Sequence, residues 1–150
     1  MPGATEPVPK VGQCYGRNGA LSILYPIQPW YEQSGFAVVS GLIVWQRAVE
    51  VCLGVYRFTK AFPKEEIYGL SNQLRRASVS VPSNIAEGYG RLSRDPYRQF
   101  LGIASGSNLE VQTQLLIARE LGYGNAEDGK CLEGLSFEVG RMLIAILKKL

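Results

Sequence analysis

The stretch Leu74–Arg91, LRRASVSVPSNIAEGYGR, decides the fold. Residues three and four apart share one face of a helix, and Leu74, Ala77, Val81, Ile85 and Tyr89 recur at that spacing while Arg75, Arg76 and Glu87 fall off it. The pattern predicts an amphipathic helix. Pro82 removes one backbone donor and crowds the preceding turn, at a cost on the order of 3 kcal/mol in an isolated helix, so a kink is expected there. Ser78, Ser80 and Ser83 are placed to donate to the freed carbonyls. Gly88 and Gly90 supply the permissive backbone of a helix C-terminus, which predicts an end near Tyr89.

Working outward, Val44, Ala48, Val51, Val55, Phe58 and Phe62 alternate spacings of four and three, predicting a first helix over Leu42–Phe62. Phe62-Pro63-Lys64-Glu65-Glu66 breaks it, and the two acids after the proline favour the start of the next helix through its dipole. On the other side, Ser93, Asp95 and Pro96 mark a third helix start. Its stripe is Tyr97, Phe100, Leu101, Ala104, Val111, Leu115, Ala118 and Leu121. The small residues of Gly102–Ser107 lower its intrinsic stability, so a neighbouring backbone is expected to approach closely there. Gly122, Gly124 and Asn125 end it. A fourth helix, roughly 126–150, carries Leu132, Leu135, Val139, Leu143, Ile146 and Leu150 along one seam. Met142, Ile144 and Leu147 make its second half apolar on more than one side, which points to subunit contacts. Four helices of roughly 20 to 28 residues joined by short connections predict an all-α chain, an antiparallel up-down-up-down four-helix bundle.

Residues 1–40 differ in kind, holding Pro2, Pro7, Pro9, Pro26 and Pro29 of the eight prolines. No helix period survives that punctuation, so 1–40 is expected to be an irregular N-terminal extension and 41–150 the bundle. The plain reading of the segment is a loosely attached tail; the alternative is that its apolar cluster, from Leu21 to Tyr31, lies along a groove of the bundle or covers a subunit contact.

At 150 residues and 46% hydrophobic content the chain suits a single domain with a real core. The net charge of +3 permits contact with nucleic acid without demanding it. Cys14, Cys52 and Cys131 are odd in number and far apart, without the close pairs of zinc or redox sites, which suits a reduced, cytoplasmic protein. Histidine is absent, so the commonest general base near neutral pH and the commonest neutral metal ligand are missing. No catalytic residue, metal site or cofactor is expected. No apolar run reaches the roughly 18 residues of a membrane span, so a soluble protein is expected.

The run RRASVSVPSNIAEGYGR, with VWQRAVEV before it and FLGIASGSNLEVQTQLLIARELGY after it, resembles the four-helix-bundle family of 23S ribosomal RNA intervening-sequence proteins. That family includes the accessory variability protein of diversity-generating retroelements. The likeness covers roughly Leu42–Leu150, with Val44-Trp45, Phe62-Pro63, Tyr68-Gly69-Leu70 and Gly122-Tyr123 as further points in order. It implies a homo-oligomer, a pentamer, with no catalytic motif to carry over, and a reverse transcriptase with its structured RNA as partners.

The candidate nucleic-acid-binding residues are Arg75, Arg76, Arg91, Arg94 and Arg98, with Tyr89 and Tyr97 interleaved. Guanidinium groups pair bidentately with phosphates and stack on bases, which suits RNA. Ion pairs with Glu87 or Glu110 are the competing use of Arg75 and Arg76. Asn84, Glu87 and Glu110 form a second candidate set, a structural polar site or a ligand site, with Gln112 and Gln114 nearby. The leading expectation is a non-enzymatic, homo-oligomeric scaffold that binds nucleic acid, with structured RNA favoured, and a protein partner such as a reverse transcriptase. The alternative is a small-ligand or metal-dependent enzyme with a carboxylate site inside the bundle.

Overall fold

A computed structural model describes residues 35–150, so the expected irregular extension lies outside the described residues except for its last six. Those six are not irregular: Gly35–Ser40 is a short helix, α1. This stretch follows the last proline of the extension, and Val39 is buried. Tertiary burial supplies the stability that a six-residue helix lacks alone.

Four longer helices follow: α2 (Ile43–Phe58), α3 (Leu70–Gly90), α4 (Arg94–Glu120) and α5 (Ala126–Leu147). Helical is the only regular structure among the described residues. The first predicted helix ends earlier than its stripe suggested, because Thr59–Ala61 tightens into a 3-10 turn, and Phe62 just after it is still buried. The two acids after Pro63 do not begin α3 but lie in a separate 3-10 turn, Lys64–Ile67. Glu66 nevertheless caps α3 from outside, its Oε2 accepting the Leu70 backbone N–H at 2.8 Å. Ser93 has the extended backbone of a cap before α4, yet its hydroxyl makes no capping hydrogen bond. Asn125 does cap α5, its Oδ1 accepting from the N–H groups of Glu127 and Asp128 at 2.9 and 3.1 Å.

Pro82 sits buried within α3, and the helix runs unbroken from Leu70 to Gly90 around it. The serine hydroxyls go elsewhere than expected. Ser78 donates to the Arg75 carbonyl and Ser83 to that of Val79, whereas Ser80 pairs with Ser107 of α4 at 2.9 Å. None of them serves the Ser78 carbonyl that the proline leaves without its donor.

Each long helix packs against two others: α2 on α3 and α5, and α4 on α3 and α5. The predicted stripes meet in one core, with Val51, Val55, Leu74, Ile85, Leu101, Val111, Leu132, Val139 and Leu143 almost wholly enclosed, except that Leu121, at the end of the third stripe, is exposed. Two glycines set close approaches. A Cβ on Gly88 would lie 2.7 Å from the Phe100 Cβ, and one on Gly124, which has φ +75°, would collide with the Phe58 ring. The small-residue stretch of α4 behaves differently from its expectation. Around Gly102 and Gly106 a Cβ would meet nothing within 4 Å, because both are exposed and no helix among the described residues covers them.

The apolar surplus also moves. Met142 and Leu147 pack on the core, leaving only Ile144 of the expected trio exposed. Among the described residues α4 also leaves Ile103, Leu109, Leu116 and Ile117 exposed, and so is Phe137 of α5, which lines one cleft with Leu116.

Candidate nucleic-acid interface

The five predicted arginines divide into two places and three roles. Arg75 turns toward α2: its Nε donates to Thr59 Oγ1 at 2.8 Å and its guanidinium lies 5.2 Å from the centre of the Tyr56 ring. It holds α3 to the end of α2. Arg76, one residue on, is exposed and without an ion pair among the described residues. The competing use foreseen for this pair, salt bridges to Glu87 or Glu110, is not made.

The other three gather at the turn between α3 and α4. Arg91 caps α3, donates from Nη2 to Glu87 Oε1 at 2.7 Å and lies 5.3 Å over the Phe100 ring. Its charge is therefore matched locally. Arg94 and Arg98 stand one turn apart on α4, both exposed and both without an ion pair among the described residues. Asp95 between them is the nearest opposing charge in sequence and is exposed as well. Beneath this surface Tyr89 and Tyr97 meet edge to face, with centroids 6.1 Å apart, and burial holds the Tyr97 phenol above its usual pKa. The aromatic pair and the absent side chain at Gly88 lock the first turn of α4 against the last turn of α3. Arg94 and Arg98 project from a rigid base as a result. Arg76 lies twelve residues before Gly88, about 18 Å along α3 at about 1.5 Å per residue.

The second candidate set does not come together. Asn84 donates to the Ser80 carbonyl and hydroxyl at 2.8 and 3.0 Å, Glu87 holds Arg91, and Glu110 accepts from Gln114 at 3.0 Å. Each acid is exposed and satisfied on its own helix. No group of three or more His, Cys, Asp or Glu side chains is placed to hold a metal ion among the described residues. Cys52 and Cys131 are not in disulfides; burial pushes the Cys52 thiol up while a hydrogen bond with Ser78 opposes it, so the thiol stays neutral near pH 7. Cys14 lies outside the described residues.

A polar cluster that the sequence reading missed sits between α4 and α5. Asn108 and Ser136 are both buried; Asn108 donates to the Ser136 carbonyl at 2.9 Å and accepts from its hydroxyl at 3.0 Å, and Gln112 adds a bond to the same carbonyl at 3.2 Å. The signal was present as a gap. The α4 stripe was read from Ala104 straight to Val111, and Asn108 occupies the skipped helical position. Its bonds are mutually satisfied, which makes it a structural pin rather than a ligand site. A shallow open cleft of about 300 Å³ beside it is lined by Gln112, Thr113, Leu116, Arg119, Glu133 and Phe137, and the Arg119–Glu133 ion pair at 3.0 Å spans it.

No helix among the described residues is long and apolar enough to cross a membrane.

Comparison with known proteins places this geometry. A family model described as 23S rRNA-intervening sequence protein matches residues 40–145. Among solved structures, a protein of unknown function from the S23 ribosomal protein family of Bacteroides thetaiotaomicron shares the fold. Its TM-score is 0.64 at 24% identity, over 71% of this chain and 99% of that one. No curated protein matches the chain.

Proposed function

The chain belongs to the family of 23S rRNA-intervening sequence proteins, and from that premise we propose that it is a non-enzymatic, homo-oligomeric helical scaffold that binds structured RNA. The observation that carries the RNA reading is the pair Arg94 and Arg98, exposed on the first turns of α4 and without an ion pair among the described residues. Such guanidinium groups have their donors free for phosphate oxygens, and Arg76 extends the basic surface along α3.

The bundle order proposed for the scaffold is up-down-up-down with antiparallel neighbours. Gly88 opposite Phe100 with Ser80 opposite Ser107 supports it for α3 and α4, and Asn108 opposite Ser136 with Arg119 opposite Glu133 supports it for α4 and α5. In that order Lys148 and Lys149 lie at the same end as Arg94. The outward apolar residues of α4, beside the uncovered Gly102 and Gly106, support self-association, with five copies as the number that the family resemblance implies. Repetition around a ring multiplies a modest basic face into one that competes for RNA. A cytoplasmic location and a protein partner such as a reverse transcriptase complete the proposal. A carboxylate enzyme would need Glu87 and Glu110 to converge, and their separate partners give that reading no support.

The test is ultraviolet crosslinking of a structured RNA to the purified protein, followed by mapping of the modified peptides. Crosslinks are expected within residues 89–98, where two tyrosines accompany the arginines. Crosslinks confined to other helices, or none at any protein concentration, would overturn the assignment.

A further inference from the structure

The turn between α3 and α4 contains a residue that local stability does not explain. Leu92 has φ +56° and is the only non-glycine residue with positive φ among the described residues; it is also 90% exposed. A β-carbon disfavours that left-handed conformation, which is why the position just past a helix end is normally glycine or asparagine. The chain itself supplies the comparison. The next helix, α4, ends in the same way: Leu121 is its cap and Gly122, with φ +72°, occupies the position that Leu92 occupies after α3. The Gly122 N–H closes onto Arg119 at 3.0 Å, and the Leu92 N–H onto Tyr89 at a longer 3.4 Å. At one turn the chain uses the unstrained residue, and at the other it holds a large apolar side chain in solvent in a strained conformation.

An exposed apolar side chain is ordinary by itself, but backbone strain retained at an exposed turn points to a function for the residue that bears it. The surroundings define the occupant. Arg94 and Arg98 follow the turn without an ion pair among the described residues, Arg91 is neutralised by Glu87, and Asp95 is the nearest acid to them in sequence, so the rim around Leu92 suits a polyanion. On RNA the only apolar surfaces are the faces of bases, and in a duplex those faces are stacked on one another. A leucine gains contact only where a base is unstacked, in a loop or bulge.

We propose that Leu92 is an apolar wedge that seats on an unstacked base in a loop or bulge of the bound RNA, with Arg94 and Arg98 on the flanking phosphates. This rests on the RNA-binding reading above and adds to it the class of RNA: one with an unpaired element, in preference to uninterrupted duplex.

The experiment uses Leu92→Gly in the full-length chain, with two RNA probes of equal length, a stem-loop hairpin and a fully paired duplex. The substitution suits the left-handed backbone, so the melting temperature is expected to hold or rise. Affinity for the hairpin is expected to fall about tenfold, the lower end of what losing a buried leucine contact costs, while affinity for the duplex stays unchanged. Leu92→Asn, which also tolerates the conformation, is expected to do the same. A variant that keeps the wild-type preference for the hairpin overturns the wedge, as does a wild-type protein that binds both probes equally; RNA binding itself survives either result. A wild-type protein that binds neither probe overturns the RNA-binding reading and the wedge with it.

Discussion

Replacing Arg76, Arg94 and Arg98 together by alanine is expected to weaken binding to structured RNA about a hundredfold at about 100 mM salt, with no measurable change in melting temperature. The magnitude follows from about 1 kcal/mol for each exposed phosphate contact, or about 3 kcal/mol in all, a factor of about 100. Removing three phosphate contacts should also flatten the slope of log affinity against log salt by about 2. Stability should be untouched, because all three side chains are exposed and none is in an ion pair among the described residues. Arg75→Ala provides the contrast. It removes the bond to Thr59 and the contact with Tyr56, so it should lower stability by about 1 kcal/mol and leave the salt slope as it was. Anisotropy titrations and thermal melts on the same preparations distinguish the two classes. If the triple variant binds as wild type, the phosphates are held elsewhere.

The second large effect is structural. Leu132→Ala is expected to destabilise the chain by about 4 kcal/mol, near the upper part of the range for buried leucines. Leu132 is 1% exposed and its Cδ2 lies where a side chain on Gly54 would begin, so it packs directly on the backbone of α2. Two helices cannot close over the gap without moving their axes, and the cavity term is therefore retained. Urea unfolding at one fixed protein concentration checks this, since the proposed self-association would make the midpoint depend on concentration. A loss under about 1 kcal/mol would mean that α2 and α5 do not meet at this position.

The helices were legible because their apolar residues repeat over three or more turns. The stripe of Val44, Ala48, Val51, Val55 and Phe58 is buried as a set, and so are Leu74, Ala77, Val81 and Ile85. What escaped the reading is where one residue answers to two neighbours. Asn108 and Ser136 interrupt their stripes with polar atoms, and only the partner helix shows that each satisfies the other. Gly35–Ser40 is too short to carry a period, and it is helical through the burial of Val39. The ends of the helices depended on side chains reaching back across a break, as Glu66 does to Leu70.

The site was legible as composition and not as roles. Five arginines near one another in sequence suggested a basic surface, yet a helix turns 100° per residue, which sends Arg75 inward to Thr59 and leaves its neighbour Arg76 in solvent. Glu87, a candidate ligand by its type, instead neutralises Arg91 one turn on. The strain at Leu92 had no sequence signature at all, because only backbone coordinates place a leucine at the position that glycine takes after α4.

The central claim is that the chain binds structured RNA through charge. The most direct measurement is the affinity of the purified wild-type protein for a structured RNA between about 50 and 200 mM salt, with particle mass determined in the same samples. The account predicts an oligomer whose affinity falls steeply and linearly on a log–log scale across that range. A stable oligomer that shows no binding at the lowest salt, or binding indifferent to salt, would contradict it.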